Sequence, residues 1–415
     1  MSSKKKTTAT KDEARPALVP KLRFPEFRGA ESWEPKTLAE ICLQITNGKA
    51  NAQDHEEDGD YPLFDRSAVI KKSSEFMFDA EAVILPGEGM RFVPKYFQGK
   101  FNLHQRAYAL MRHHGDGRFV YHSLDYLQDA LAKKAVKSTV LSLRLPIVQD
   151  FVIGCPKPAE QQKIAECLSA VDELMAAQAR KMDALKTHKK GLMQQLFPRE
   201  GETQPRLRFP EFQNAGEWSE GKLADIATVL QGYGFPERHQ GQTSGDYPFY
   251  KVSDISRSLA AGKVFIEESA NYINEDLLRE LRAKPIPEGT TIFAKIGEAI
   301  RSNKRAITTA PCLIDNNTAG VKRIKGKATD LFIYLLMEQI SLIDHAGGVV
   351  PAVNKSAIEE IVVKFPEPDE QERIASCLSS LDALITLETQ KLEALKTHKK
   401  GLMQQLFPSP EEVEA

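Results

Sequence analysis

The sequence predicts an α+β protein in which two mixed α/β domains are joined by two long helices that pair as an antiparallel coiled coil. Three observations support this fold class: a fifteen-residue segment that occurs twice, a second duplicated segment that opens each half of the chain, and apolar residues at heptad spacing in two places. Together they indicate a tandem duplication, so we expect the two halves to be related by an approximate two-fold axis.

The two duplicated segments define the repeat. The sequence ALKTHKKGLMQQLFP is identical at Ala184–Pro198 and Ala394–Pro408. An opening segment, PKLRFPEFRGAESWEPKTLAEI at Pro20–Ile41, returns as PRLRFPEFQNAGEWSEGKLADI at Pro205–Ile226, and the only two tryptophans of the chain fall in register. These segments are nearly copied, whereas the stretches between them have diverged. This pattern predicts a constant scaffold that carries two different heads.

The diverged stretches share a shorter signal. Gly-Glu-x-x-Arg occurs at Gly87–Arg91 and again at Gly297–Arg301, and from there we align the two copies without a gap to the ends of the repeats. The second copy has about two dozen extra residues, which this alignment places between Ser253 and Ala294.

The end of each repeat predicts a long amphipathic helix. Apolar residues recur in alternating steps of four and three, which is the spacing of a coiled-coil seam. A proline lies at the start of each helix and another at its end, where it stops the helix. The seam residues that we predict are Ile164, Leu168, Val171, Leu185, Leu192, Ile374, Leu378, Leu381, Leu395 and Leu402.

Polar residues interrupt both seams. Gln178 and Lys189 interrupt the first, and Glu388 and Lys399 interrupt the second. Their stems can pass along the seam with the polar ends in water, or they can fix register and direction. Pairing within one chain is favoured, because both helices are present at high effective concentration. Pairing between two chains stays open.

This reading divides the chain into a disordered arm, two heads and two helices. The predicted boundaries are 1–19 for the arm, 20–157 for the first opening segment and head, 158–198 for the first helix, 205–367 for the second opening segment and head, and 368–408 for the second helix.

Composition excludes several classes of protein. The formal net charge is −1, so a protein coated in positive charge is excluded, although local basic patches can still bind DNA. No apolar run is long enough to cross a membrane, and the start of the chain lacks the apolar core of a secretory signal. The five cysteines form no CxxC pair, which predicts a reducing, cytoplasmic location without metal or disulfides.

Basic and amide residues in the turns of the heads are candidates for DNA contact. Arginine recognises guanine with two hydrogen bonds, and glutamine or asparagine recognises adenine in the same way. A salt bridge from Arg91 to Glu88, or from Arg301 to Glu298, is an equally good explanation of those two arginines. The DNA-binding residues that we predict are Arg91, Lys95, Gln105, Arg106, Arg301, Lys304, Arg305 and Asn316.

Sequence motifs of catalysis are missing. The chain has no phosphate-binding GxxxxGK[ST], no HExxH, no GxSxG, no zinc-finger spacing and no Asn-Pro-Pro-aromatic loop of an amino-methylating enzyme. We therefore predict no catalytic and no metal-binding residues.

The duplicated LRFPEF segments, the two diverged heads, and helices that start with PAEQQKIAECL and PDEQERIASCL and end with LMQQLFP resemble the specificity subunit of a type I restriction–modification system. The resemblance covers Pro20–Pro408. It implies a non-catalytic, sequence-specific subunit whose two target recognition domains each read one half of a bipartite target in double-stranded DNA.

The resemblance also implies partners. Two methyltransferase subunits are expected to dock on the chain together with restriction and translocase subunits, and no membrane is involved. The chain is expected to hold no cofactor of its own, whereas S-adenosylmethionine, ATP and Mg belong to the partner subunits. The alternative is a two-headed coiled-coil scaffold for protein partners that does not read DNA. A nuclease is disfavoured, since the sequence offers no recognisable cluster of metal-binding carboxylates.

Overall fold

The computed structural model of the protein describes residues 17–51, 53–137 and 139–414. Its contacts divide it into two compact units. The first holds the described residues up to Ala176 and those from Ala394 onward, and the second is Ala177–Glu393. Each unit contains one head together with part of both long helices.

The first repeat alternates short strands and helices before its long helix. In chain order its elements are β1 (Glu34–Thr37), α1 (Leu38–Ile41), β2 (Cys42–Asn47), β3 (Tyr61–Phe64), β4 (Lys71–Ser73), β5 (Phe78–Pro86), β6 (Glu88–Gly89), β7 (Lys95–Leu103), β8 (Ala107–His113), α2 (Gly117–Tyr126), α3 (Gln128–Lys134), β9 (Val136–Lys137), β10 (Leu141–Ser142), α4 (Leu145–Gln149), β11 (Val152–Cys155) and the long α5 (Pro158–Leu196).

The second repeat follows the same plan with additional elements. They are β12 (Ser219–Lys222), α6 (Leu223–Ile226), β13 (Ala227–Gln231), β14 (Tyr247–Tyr250), α7 (Val252–Ala260), β15 (Phe265–Ile266), β16 (Tyr272–Ile273), α8 (Glu275–Glu280), β17 (Thr291–Ala294), β18 (Arg305–Thr308), β19 (Leu313–Ile314), β20 (Thr318–Arg323), α9 (Asp330–Gln339), α10 (Lys355–Glu359), β21 (Val362–Phe365), the long α11 (Pro368–Leu406) and α12 (Pro410–Glu414).

Each head is built on a central, mostly antiparallel sheet. In the first head the strand order is β2-β8-β5-β7-β3-β4, with β3 parallel to β7. The second head has β13-β20-β17-β18-β15 and a separate β16-β14-β19 sheet. The long β7 of the first head corresponds to two strands, β18 and β19, because Thr309–Cys312 interrupts the pairing in the second head. Helix α2 or α9 covers one face of the central sheet.

The two long helices confirm the predicted antiparallel coiled coil. In the second unit Gln178 of α5 donates a hydrogen bond to the Glu388 carboxylate of α11, and Lys189 pairs with Asp382. Residue numbers therefore rise along one helix while they fall along the other. Both helices end two residues before a proline, at Leu196 and Leu406, because proline disfavours helical backbone in the residue before it.

The predicted seam residues lie on the inner side of the helices. Ile164, Leu168 and Val171 are buried in the first unit, and Ile374 and Leu378 are buried in the second. The others are half-buried: Leu185, Leu192, Leu381, Leu395 and Leu402. The buried members at the start of each helix belong to the hydrophobic cores of the heads, so the helices are integral to both units.

The opening segment ties two helices together in each unit. In the first unit the Arg23 guanidinium makes two hydrogen bonds to Glu160 at the start of α5, at 2.7 and 2.6 Å. The next residue back, Leu22, donates its N–H to the Gln405 carbonyl at the end of α11. The second unit repeats this arrangement with Arg208 and Glu370 at 2.7 and 2.6 Å. Two parallel bonds between an arginine and a carboxylate fix geometry as well as adding energy.

The glutamine after each of these glutamates joins the long helix to its head. The Gln161 side chain donates to the Pro156 carbonyl at 2.8 Å and accepts from the Asp116 N–H at 3.1 Å, just before α2. Gln371 makes the equivalent bonds, accepting from Thr329 N–H at 3.1 Å just before α9. The Glu-Gln pair at the start of each helix therefore has a structural function.

The identical fifteen-residue segments occupy equivalent places in opposite units. Phe407, at the end of the second copy, packs on Trp33 and Phe119 of the first head, with ring centroids 6.1 and 5.7 Å away. Phe197, at the end of the first copy, packs on Trp218 and Phe332 of the second head at 5.8 and 5.6 Å. Each head thus receives the helix end that belongs to the other repeat.

Residues 1–16 of the predicted disordered arm lie outside the described residues. The prediction was wrong for Leu18, which is buried in the core of the first head and forms a β-bridge with Trp33. The folded core therefore includes Leu18, which lies before the predicted boundary, because its apolar side chain packs beside Trp33 of the opening segment.

Candidate nucleic-acid interface

Both heads carry an exposed turn at equivalent places in their sheets. We call His104–Arg106, between β7 and β8, the first polar turn, and Asp315–Asn317, between β19 and β20, the second polar turn. His104 donates its N–H to the Phe64 carbonyl at 2.9 Å, and Asp315 donates its N–H to the Tyr250 carbonyl at 3.1 Å. In each head the turn therefore donates to the last residue of the equivalent strand, β3 in the first head and β14 in the second.

This equivalence corrects the alignment made from the sequence. The sequence alignment set Gln105 opposite Asp315, whereas the structure sets Gln105 opposite Asn316 and Arg106 opposite Asn317. Leu110 and Val321, which face the helix-covered core in the two heads, show the same one-residue shift. Both polar turns therefore carry an exposed amide side chain at the same position.

The first polar turn presents side chains that can donate hydrogen bonds and side chains that can accept them. The exposed Gln105 amide donates to Asn51 Oδ1 at 2.9 Å, and Asn47 donates to the Gln105 carbonyl at 3.1 Å. Arg106 pairs with Glu88 at 2.8 Å, with 61% of the arginine side chain exposed. An exposed pair of this kind is weak, so the guanidinium can exchange Glu88 for another acceptor at small cost.

The second polar turn lies beside a half-buried lysine. Lys295 donates its backbone N–H to the Asn317 carbonyl at 2.8 Å and its Nζ to Gln231 Oε1 at 2.7 Å. Burial lowers the pKa of this amine, and Asp315 opposes the shift. The Asp315 carboxylate accepts from Thr318 Oγ1 and from Asn317 Nδ2, and the side chains of Asn316 and Asn317 are both exposed.

A glycine allows a loop to approach each polar turn. A Cβ on Gly48 would lie 1.8 Å from the Leu103 carbonyl oxygen, and one on Gly232 would lie 1.8 Å from the Asp315 carbonyl oxygen. Backbone atoms cannot move aside as a flexible side chain can, so both positions require glycine. These glycines bring Asn51 and Tyr233, respectively, close to the polar turns.

A hairpin lies next to each polar turn. We call the antiparallel pair of β9 and β10 the first hairpin and Gly347–Ala352 the second hairpin. Gly87 donates its N–H to the Arg106 carbonyl and accepts from the Leu143 N–H, each at 2.8 Å, which joins the first hairpin to the first polar turn. Lys295 has the equivalent role in the second head, since its carbonyl accepts from the Val353 N–H at 2.9 Å. Each head therefore has one continuous surface of polar turn and hairpin.

The same contacts show that Arg91 and Arg301 are not equivalent. Gly87 corresponds to Lys295 in these hydrogen bonds, so Gly89 and Gly297, both with positive φ, correspond to each other. The shared Gly-Glu-x-x-Arg motif is thus out of register by two residues, and the gap-free alignment was wrong here. Arg91 is exposed, and Arg301 pairs with Glu298 at 3.0 Å with both side chains largely exposed.

Two of the predicted lysines are tied to neighbouring groups. Lys95 is half-buried and donates its Nζ to the Ser67 carbonyl at 2.6 Å, and burial lowers its pKa. Lys304 is exposed and donates to Ser256 Oγ at 3.1 Å. Neither lies in a polar turn, whereas Gln105, Arg106 and Asn316 do.

Arg305 was predicted to contact DNA, and the structure contradicts this. Its side chain is only 2% exposed. The guanidinium donates to Asn303 Oδ1 at 2.6 Å and to the Ile340 carbonyl at 3.3 Å, and its centre lies 5.0 Å from the Phe293 ring centroid. Burial lowers its pKa to about 10. Arg305 joins β18 to the end of α9 inside the head, so it is a structural residue.

The family model of the type I restriction modification DNA specificity domain matches residues 30–187 and again residues 215–397. The chain belongs to this family. The two matches correspond to the two repeats, and the family consists of specificity subunits, which are the non-catalytic subunits of type I restriction–modification systems.

Curated specificity subunits are similar over nearly the whole chain. The specificity subunit of the type I restriction enzyme EcoDI from Escherichia coli is 24% identical over 397 residues, which cover 88% of this chain and 84% of that protein. The MjaVIII specificity subunit from Methanocaldococcus jannaschii is 22% identical over 411 residues, covering 92% and 95%. The crystal structure of the S subunit from M. genitalium has a TM-score of 0.64 at 14% identity and covers 94% of this chain and all of that one, which shows a shared fold.

The described residues of this specificity subunit contain neither a metal-binding cluster nor a membrane-spanning helix. No group of three or more His, Cys, Asp or Glu side chains among them is arranged to hold a metal ion. In the same part of the chain, no helix is long and apolar enough to cross a membrane.

Three residues of the polar turns and their neighbours were not predicted from the sequence: Asn47, Asn51 and Asn317. An alignment shifted by one residue would have brought Asn317 opposite Arg106.

Proposed function

We propose that this specificity subunit reads a bipartite sequence in double-stranded DNA, with one half-site for each head. The observation that carries the proposal is the pair of equivalent polar turns with different side chains. The first offers Gln105 and Arg106, and the second offers Asn316 and Asn317. Arginine matches the acceptors of guanine, and glutamine and asparagine match adenine, so the two turns suit different bases in the major groove.

The repeated scaffold supports docking of two methyltransferase subunits. The identical segments expose the same side chains twice, including His188 and Lys190 in one copy and His398 and Lys400 in the other. Two copies of one partner can therefore bind through the same contacts. Restriction and translocase subunits are proposed as further partners in the cytoplasm, and S-adenosylmethionine, ATP and Mg are proposed to bind to the partners.

A methylation map tests this function. The chain is expressed with the methyltransferase subunit from the same source in a host that lacks other DNA methylation, and modified bases are located across the genome. We expect one motif made of two specific half-sites that are separated by a gap of fixed length. Expression of the methyltransferase subunit alone is the control and should give no such motif.

Binding to duplex DNA distinguishes the alternative of a protein scaffold. The complex of the chain with its methyltransferase subunits should bind a duplex that carries the mapped motif at least 10³-fold more tightly than random duplex. A complex that assembles but gives no methylated motif and no preference between the duplexes would overturn the proposal in favour of the scaffold.

A further inference from the structure

The tip of the second hairpin exposes two adjacent valines. Val349 is 105% exposed and Val350 is 62% exposed, relative to a fully accessible residue. Single exposed apolar residues are common on protein surfaces, but two β-branched side chains at the end of a projecting hairpin are better explained by a contact outside the chain.

The hairpin holds these valines in a defined position. Gly347 and Ala352 exchange two backbone hydrogen bonds of 3.1 Å, and Gly348 adopts a positive φ that lets the chain turn. The Pro351 carbonyl accepts from the Gly297 N–H at 2.7 Å. The next residue but one, Val353, is buried in the core of the head. The tip is therefore anchored on both sides.

The tip belongs to the surface that contains the second polar turn. Lys295 makes backbone hydrogen bonds to Asn317 and to Val353, so it links the turn to the base of the hairpin. The sequence from 345 to 358 contains no carboxylate and includes His345 and Lys355, although Asp344 and Glu359 flank it and Lys355 pairs with Glu359 at 3.5 Å. Phosphate groups can approach this segment without meeting a negative charge from it.

The first head has a different hairpin at the equivalent place. Residues 130–149 likewise contain no carboxylate, but they include four exposed basic residues around the first hairpin: Lys133, Lys134, Lys137 and Arg144. That chemistry suits phosphates and guanine. The first head also exposes two adjacent β-branched residues, Val69 at 75% and Ile70 at 49%, but they lie between β3 and β4 and not on the hairpin equivalent to Gly347–Ala352. The two heads therefore place their exposed apolar residues differently, as expected for features that distinguish two half-sites.

We propose that Val349 and Val350 contact the 5-methyl group of a thymine in the half-site of the second head. This inference rests on the proposed function. The thymine methyl is the apolar feature that base edges present in the major groove, and small apolar side chains recognise it by burial. With Asn316 available for adenine in the same surface, the second head has partners for both bases of an A·T pair.

Replacing thymine by deoxyuracil tests the proposal, because it removes the methyl group and leaves the hydrogen bonds unchanged. The complex with methyltransferase subunits is titrated with duplexes in which each thymine of the mapped motif, on either strand, is replaced in turn. We expect one or two positions, all in one half-site, to weaken binding by about fourfold, as for loss of one buried methylene-sized group.

The double variant Val349→Ser/Val350→Ser should bind the unmodified duplex several-fold more weakly and lose its sensitivity to deoxyuracil at those positions. Both valines are exposed, so the fold should be unaffected, and thermal unfolding checks this. Val362→Ser is the matched control, since Val362 is 64% exposed on β21 of the same unit, and it should retain full sensitivity.

Three results overturn the thymine contact. They are a motif without thymine in either half-site, a double variant with unchanged affinity, and a weakened variant that keeps the sensitivity of the wild type. Failure of the proposed function is distinguishable from all three, because then no motif is mapped and the complex has no preferred duplex to titrate.

Discussion

Lys189 of α5 and Asp382 of α11 form an ion pair of 2.8 Å, and Glu338 of α9 is a second acceptor at 3.1 Å. The first unit repeats this arrangement. Lys399 of α11 pairs with Asp172 of α5 at 2.9 Å and also with Asp125 of α2. Both lysines occupy the same position in the identical segments, so each repeat places the same cation between a helix and a head.

These lysines remain charged although they are largely buried. Burial alone would lower the pKa of Lys189, but Glu338 and Asp382 outweigh that effect and the pKa is raised. The same holds for Lys399, where Asp125 and Asp172 outweigh burial. The two lysines that interrupt the seam are thus ion-paired and do not merely extend into water.

Replacing Lys189 by alanine should destabilise the protein strongly. The change leaves two carboxylates without their cation in a site where the lysine side chain is 12% exposed, and breaking such a pair costs about 3 kcal/mol. Urea unfolding measures the loss. Lys190→Ala, at the exposed neighbouring position, is the control and should change the free energy of unfolding by less than about 0.5 kcal/mol. Equal losses for the two variants would contradict a structural role for the ion pair.

Glu388 should make stability depend on acid pH. Hydrogen bonds from Lys181 and Gln178 lower its pKa from 4.5 to about 2. Because the folded pKa is the lower one, its contribution is present above pH 4.5 and is lost as pH falls towards 2. The melting temperature of wild type should therefore fall more steeply between these values than that of Glu388→Gln.

The exposed Glu372 on the same helix provides the control for Glu388. Glu372→Gln keeps the Glu388 carboxylate and its partners, so its melting temperature should follow the pH dependence of wild type. If Glu388→Gln and Glu372→Gln gave the same pH profile, the carboxylate between the helices would have no special effect.

The scaffold could be predicted from the sequence because its signals are local and repeated. Heptad spacing and flanking prolines specify long helices, and the duplication supplies a second helix as the partner of the first. The role of Arg23 could not be predicted, since its acceptor Glu160 lies far along the chain.

The surface of the heads was harder to predict for a physical reason. A one-residue shift in a strand exchanges the two faces of a sheet, and the heads differ by such shifts and by inserted elements. Arg305 illustrates this, because it looks like an exposed basic residue in the sequence but lies on a strand whose neighbours are all buried.

Arg305→Met should lower stability without changing the recognised sequence. The substitution removes the hydrogen bonds to Asn303 and Ile340 from a buried site, and the expected loss is about 2 kcal/mol. Thermal unfolding measures it, and a methylation map at permissive temperature should return both half-sites unchanged. A changed half-site with unaltered stability would restore the DNA contact that the sequence predicted.

Substitutions in the polar turns should separate the half-sites. Gln105→Ala should relax base preference in one half-site and Asn316→Ala in the other, each by about 1–3 kcal/mol of discrimination at the base concerned. Both side chains are exposed, so stability should not change. Relaxed preference in both half-sites from either single variant would contradict one half-site per head.

A matched insertion should change the gap alone. The boundaries of the two units fall within the helices, after Ala176 in α5 and after Glu393 in α11. Four residues added at both places lengthen each helix by about 6 Å and keep every pairing within a unit, including Lys189 with Asp382. The methylation map should then show the same half-sites with a gap about two base pairs longer, at roughly 3.4 Å per base pair.

The control adds four residues to α5 alone. This insertion shifts one helix against the other, so the control variant should lose stability instead. Altered half-sites with an unchanged gap in the matched variant would show that the paired helices do not set the spacing.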